Sequence, residues 1–248
     1  KGEGEETLCE LSKYLFDGSK SFDEINGLAF KDVSGEIIVN KPRVRLKALD
    51  ELPFPAVNLL PDLSNYKPYF LQYKRLPFMP VETSRGCPYA CSFCETPFGK
   101  KMGYYSPEYM VDYIKYLQKN YGVKELHFID DTFTLSEKRV FDFCELVKKE
   151  NLDITWYCNA RVDIKNKSIW KSMKEAGCWL VAIGVEAGNQ DIIYNLQKGI
   201  TVKQVRDTAA DIRKSGMRLK TFFILGNPGE TKETIEETIE LAISLKAH

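Results

Sequence analysis

Cys87, Cys91 and Cys94 are the residues best suited to chemistry, set at the spacing C-x3-C-x2-C in the stretch Thr83-Ser-Arg-Gly-Cys-Pro-Tyr-Ala-Cys-Ser-Phe-Cys94. Thiolates are the ordinary protein ligands of iron–sulfur clusters, and one short loop can bring several of them to a single cluster. Three thiolates around a four-iron cluster leave one iron without a protein ligand, open to a small molecule. A structural zinc site instead closes four ligands, usually as two separated pairs. This chain has no second tight cysteine pair, and its only histidines are His127 and His248. Cysteines that merely pack rarely cluster this tightly.

The elements that must position this loop alternate between strand and helix. Met79–Ser84 reads as a strand feeding the loop, followed by strands at Glu125–Asp130, Ile154–Asn159, Trp179–Val185 and Leu219–Leu225. Between them lie helical patterns with recognisable ends. Ser106-Pro107 offers an N-cap with proline at the first helical position, and Gly122 closes that helix. Ser136 caps the next, Gly177 ends the third, Thr201-Val-Lys-Gln204 has capping-box form, and Thr231 opens the last. Strict alternation of this kind requires parallel strands and right-handed crossovers, in an open sheet or a barrel. In either architecture the ligand site lies beyond the carboxyl ends of the strands.

Polar residues do gather at those ends: Asp130-Asp131 after the second strand, Asn159-Ala-Arg161-Val-Asp163 after the third, Glu186 after the fourth, and Gly226-Asn-Pro-Gly-Glu230 after the fifth. Any one of them could be a turn or cap residue, and Arg161 could simply pair with Asp163. Their recurrence at one end of successive strands points to a site. His127, alone on a strand, reads as a sheet residue with a local hydrogen bond. Cys144 reads as core, while Cys158 and Cys178 could face a barrel interior.

Composition narrows the function classes. Lys plus Arg and Asp plus Glu both number 35, so the formal net charge is zero. That balance gives no sign of a nucleic-acid surface, which usually shows as a basic excess. Seven cysteines, an odd number without framework spacing, argue against a secreted disulfide scaffold. No apolar run approaches the length of a membrane span and no signal peptide is visible. The expectation is a soluble, cytoplasmic protein, since thiolate ligands need a reducing compartment.

Residues 1–75 carry little chemistry. Leu8, Leu11 and Leu15 share a helix face behind acidic residues at its start. Two short apolar runs around Val33-Ser-Gly35 read as a β-hairpin, and a proline-rich connector follows. The chain opens without Met and stops at His248 inside a helical pattern, so both ends read as cut, and residues 76–248 read as a core truncated at its C-terminus.

The cysteine loop, with Phe93 before the third cysteine, resembles the C-x3-C-x-aromatic-C signature of the radical S-adenosylmethionine (radical SAM) superfamily. The resemblance covers about residues 78–248. It implies an α/β fold, a partial six-unit (β/α) barrel of parallel strands that this chain leaves one strand short. It also implies a [4Fe-4S] cluster on Cys87, Cys91 and Cys94, with S-adenosylmethionine on the open iron and reductive cleavage to a 5'-deoxyadenosyl radical. Phe93, Asp130, Asp131, Asn159, Arg161, Glu186 and Gly226 are then the residues expected to position S-adenosylmethionine. Glu186, in Gly184-Val-Glu-Ala-Gly188, is similar to the family residue that meets the ribose, and Phe222–Glu230 resembles the segment supporting adenine. Asp130-Asp131 stands where the family often has Gly-Gly-Glu, which leaves the amine ligand open. The resemblance further implies a small-molecule substrate and an electron donor of flavodoxin or ferredoxin type.

The N-terminal segment, with its Gly2-Glu-Gly-Glu5 turn, helix, hairpin and Leu49–Pro55 tail, resembles the joint after the corrinoid domain in cobalamin-dependent members. That likeness implies an upstream cobalamin-binding domain and methylation or ring formation as the outcome. A methylthiotransferase, or a non-catalytic zinc or iron–sulfur protein, is the alternative.

Overall fold

The computed structural model describes residues 2–18, 21–69 and 72–248. Its N-terminal segment forms α1 (Glu5–Asp17) and an antiparallel hairpin of β1 (Ala29–Lys31) and β2 (Ile37–Val39). The amphipathic pattern of α1 is present in sequence, yet the helix buries no residue, and Leu8 and Leu15 stay exposed. The connector after the hairpin reaches β3 (Phe78–Val81). Buried Glu125 anchors it there: one carboxylate oxygen accepts from the backbone N–H groups of Lys74 and Arg75, the other from Trp179 Nε1 at 2.9 Å. Four donors, with Thr155 Oγ1 as the last, offset the cost of burying the carboxylate.

Next come the two-residue strands β4 (Ser84–Arg85) and β5 (Gly103–Tyr104), paired antiparallel. Then α2 (Pro107–Tyr121), β6 (Glu125–Phe128), α3 (Glu137–Lys149), β7 (Thr155–Ala160), α4 (Ile169–Glu175) and β8 (Cys178–Glu186) follow in alternation. The chain ends through α5 (Gln190–Asn195), α6 (Val202–Lys214), β9 (Arg218–Phe223) and α7 (Lys232–Leu245). The helix ends obey the local chemistry. Ser106, Ser136, Thr201 and Thr231 each accept a backbone N–H of the first turn, and Gly122 closes α2 in the left-handed region. The short α5, capped by Asn189, is an element that periodicity did not reveal.

β3, β6, β7, β8 and β9 lie side by side in that order, every pair parallel, as a partial TIM-like barrel. Alternate residues face opposite ways. Leu126, Phe128, Trp156, Cys158, Val181 and Ile183 join the helix-packed core. Pro80, His127, Tyr157, Leu180 and Arg218 form one cross-strand row on the other face, with Asn159 and Ala182 in the row above. Cys158 and Cys178, which could have faced the barrel interior, pack instead toward the helices beside Cys144.

Candidate functional site

The loop carrying the cysteines leaves the sheet at the carboxyl end of β3 and is pinned at its base by the β4–β5 ladder. Gly86 begins it at φ 87°, and a Cβ there would stand 2.4 Å from the Lys101 carbonyl oxygen, so no side chain fits. The Cys87 N–H donates to Gly99 O, Cys94 N–H to Cys91 O, and Ser92 N–H to Leu196 O beyond α5. These bonds aim Cys87, Cys91 and Cys94 at one cavity of about 330 Å³.

Across that cavity stand Asp131, Asn159, Arg161 and Glu186, with Phe93 on the loop side. Arg161 is buried; its guanidinium lies 3.4 Å from the centre of the Tyr89 ring and is held by Asp163 and the Lys198 carbonyl. It thus makes the Asp163 pair and faces the cavity as well. Glu186 sits at φ 69°, unusual for a residue with a side chain, where the β8–β9 register shifts. Such strain persists only when the surroundings enforce it and gathers at functional sites. Here the bulge turns the carboxylate to the ammonium of Lys198, and both side chains are under 10% exposed (7% and 9%). Gly184 makes room for them, since a Cβ there would lie 2.3 Å from Glu186 Oε1 and 2.6 Å from Lys198 Nζ.

Two expected residues stand elsewhere. Asp130 is buried behind the cavity wall, its carboxylate accepting from the N–H and hydroxyl groups of Thr83 and Ser84, with Arg139 at 3.5 Å. Its oxygens are used in holding the start of the cysteine loop to β6. Gly226 lies in a turn at φ 89°, donating to Glu230, while Phe222 is the β9 residue that reaches the cavity. Lys198, Tyr89 and Thr132 line the cavity and were missed from sequence. Lys198 lies on the segment joining α5 to α6, remote from any strand end, and only the loop's packing against that segment brings it in.

The donor set fits an iron–sulfur cluster better than a single ion. No three His, Cys, Asp or Glu side chains among the described residues converge on one metal position, although three thiols share one cavity wide enough for a larger group. Burial raises the pKa of the Cys94 thiol, and the nearby acidic groups of Asp131, Cys91 and Cys87 raise it further. Thiolates crowded this way need a compensating cationic centre.

Residues 81–242 match the family model described as the radical SAM superfamily. The chain belongs to the radical SAM superfamily. Membership implies S-adenosylmethionine and a [4Fe-4S] cluster as cofactors. This radical SAM chain is 39% identical, over 99% of its length and 52% of the relative's, to a Pyrococcus horikoshii protein described as an uncharacterized methyltransferase. It is 26% identical to the anaerobic magnesium-protoporphyrin IX monomethyl ester cyclase of Rubrivivax gelatinosus, over 98% of this chain and 44% of that one. Its fold superposes with a TM-score of 0.80 and 24% identity on the cobalamin-dependent S-adenosylmethionine radical enzyme OxsB, covering 97% of this chain and 35% of that one. The chain spans about half the length of the curated relatives it matches.

Proposed function

We propose that this chain is the radical-generating core of a methyltransferase or ring-forming cyclase acting on a small molecule, with cobalamin as a further cofactor of the whole protein. One observation carries the reading: three cysteines of one loop line the same cavity as a buried Glu186–Lys198 pair and Arg161. Likeness to a methyltransferase, a cyclase and a cobalamin-dependent fold supports the choice of outcome.

Cys87, Cys91 and Cys94 would ligate the cluster. When bound and reduced, the cluster and S-adenosylmethionine together supply a 5'-deoxyadenosyl radical able to take hydrogen from an unactivated carbon. The protein's part is orientation and shielding. Arg161 and Lys198 present cations suited to the amino-acid carboxylate, and Asp131 a carboxylate suited to the ammonium. Burial, then the charge of Asp130, raises the Asp131 pKa; a bound ammonium would reverse that. Glu186 and Asn159 face the cavity where vicinal hydroxyls could be held, Phe93 and Phe222 give it apolar walls, and Asp130 positions the loop. Cys94 and Phe93 reach the surface, which suits delivery of an electron from a flavodoxin or ferredoxin type of donor. No helix among the described residues is long and apolar enough to cross a membrane, and thiolate ligation favours a reducing compartment such as the cytoplasm.

Anaerobic reconstitution with iron and sulfide tests the proposal. About four irons per chain are expected, with 5'-deoxyadenosine formed from S-adenosylmethionine on adding dithionite, and with both lost in Cys87→Ala, Cys91→Ala or Cys94→Ala. A full cluster without that product would overturn catalysis of this type, and stoichiometric zinc in place of iron would point to the scaffold alternative.

A further inference from the structure

The charges around the cysteine cavity are arranged with a direction. Arg161 lines that cavity, whereas its partner Asp163 does not; Asp163 lines an adjoining recess of about 300 Å³. The pair is thus an oriented dipole with its positive end toward Cys87, Cys91 and Cys94. We propose that this dipole sets the reduction potential of the bound cluster: Arg161 raises it, Asp163 restrains the rise, and Tyr89 is the positioning residue that keeps the guanidinium against the cysteine loop. This role rests on the cluster reading above and goes beyond it, since it acts before any S-adenosylmethionine is bound.

The guanidinium is fixed on three sides. Its Nε and one terminal nitrogen donate to Asp163 at 3.0 Å each, and that terminal nitrogen also donates to the Lys198 carbonyl at 2.8 Å. The Tyr89 ring covers one face at 3.4 Å. Tyr89 belongs to the loop, between Cys87 and Cys91, and its hydroxyl donates to Asp163 at 3.3 Å. Loop and β7 end are therefore joined through one stacked, hydrogen-bonded unit. Arginine suits this place, being always charged and able to stack on an aromatic face while donating in its own plane. Its side chain is 7% exposed against 23% for Asp163, so the cation is the less screened of the two. The Arg161 charge and the Cys91 thiol also interact electrostatically. The other charges lining the cavity are Asp131 and the Glu186–Lys198 pair, and that pair lies wholly inside it and cancels. A cluster gains one negative charge on reduction, and nearby charge and solvent exposure are the means by which a protein shifts its potential. A buried cation held beside the thiolates favours the reduced form.

Anaerobic redox titration of the chain reconstituted with iron and sulfide, without S-adenosylmethionine and followed by electron paramagnetic resonance of the reduced cluster, tests the proposal. Arg161→Gln is expected to weaken reduction about tenfold, a fall of about 59 mV for a one-electron couple. Asp163→Asn is expected to move the potential the other way, because it leaves the guanidinium uncompensated. Loosening of the site by itself has no reason to give opposite signs at the two partners. Tyr89→Leu is expected to lower the potential and to add nothing in the double variant that also carries Arg161→Gln, while Tyr89→Phe, which keeps the ring face, stays with the wild type. An unchanged or raised potential in Arg161→Gln, an unchanged or lowered one in Asp163→Asn, or additive shifts in the double variant would each overturn the assignment. Should Arg161→Gln take up no cluster, the sign of the Asp163→Asn shift decides. Failure of the wild type to hold iron would overturn the cluster reading and this role with it, whereas a full cluster without these shifts overturns this role alone.

Discussion

Removing one partner of the Glu186–Lys198 pair should be far more damaging than removing both. The side chains are 7% and 9% exposed, and the Lys198 ammonium otherwise stands over the face of the Phe93 ring, 5.7 Å away. An exposed ion pair contributes about 0–1 kcal/mol, whereas stranding one buried charge costs about 3–5 kcal/mol. Glu186→Gln or Lys198→Met should therefore each destabilise the cluster-free chain by about 3–5 kcal/mol. For a chain of this size each kcal/mol lowers Tm by roughly 2–4 °C, which gives a fall of roughly 6–20 °C. The double variant removes both charges and should return to within about 1–2 kcal/mol of the wild type, for a coupling energy of at least about 4 kcal/mol. Urea denaturation of all four proteins under anaerobic reductant measures the cycle. Single variants that each cost under about 1 kcal/mol, with additive effects, would refute the pair's burial as the source of its importance.

Gly184→Ala should displace that same pair, because the new Cβ occupies the space of Glu186 Oε1 and Lys198 Nζ. Overpacking of this kind costs about 1–3 kcal/mol, so the chain should still fold while S-adenosylhomocysteine binding, followed by calorimetry, falls at least about tenfold. Gly188→Ala is the contrast: its Cβ meets the backbone carbonyl of Glu237 at 2.4 Å, which cannot swing away, and soluble expression should collapse. His127 makes stability depend on pH. Its folded pKa of about 4 lies below the ordinary 6.5, so the unfolded chain takes the proton first as pH falls. Its contribution is complete above about 6.5 and is lost between there and about 4. Discounted for partial exposure, the loss is on the order of 2 kcal/mol. Denaturation of the wild type and His127→Phe at pH 7.5 and 5 should show the smaller decline in the variant; parallel declines would contradict the burial of the imidazole.

Much of this molecule was legible in the order of its residues. Helix ends are local events, so Ser106-Pro107, Gly122, Ser136, Thr201 and Thr231 could be read without knowing what lay nearby. The alternation of apolar runs with amphipathic segments dictated a parallel sheet, since consecutive parallel strands need helical crossovers. The cysteine spacing named its own chemistry, because three thiols in eight residues of loop must lie near one another.

What the chain order could not settle were the directions and neighbours of polar groups at the strand ends. Asp130 and Asp131 are adjacent just past the end of β6, yet one carboxylate braces Thr83 and Ser84 while the other meets the cavity, because the chain turns there and the two side chains meet different neighbours. Gly226 shares its stretch with Phe222, but only Phe222 reaches the site. Lys198 entered through packing of the loop after α5. Local sequence determines which elements form; which side chains share a cavity depends on register, bulges and contacts between distant segments, and those exist only in the folded chain.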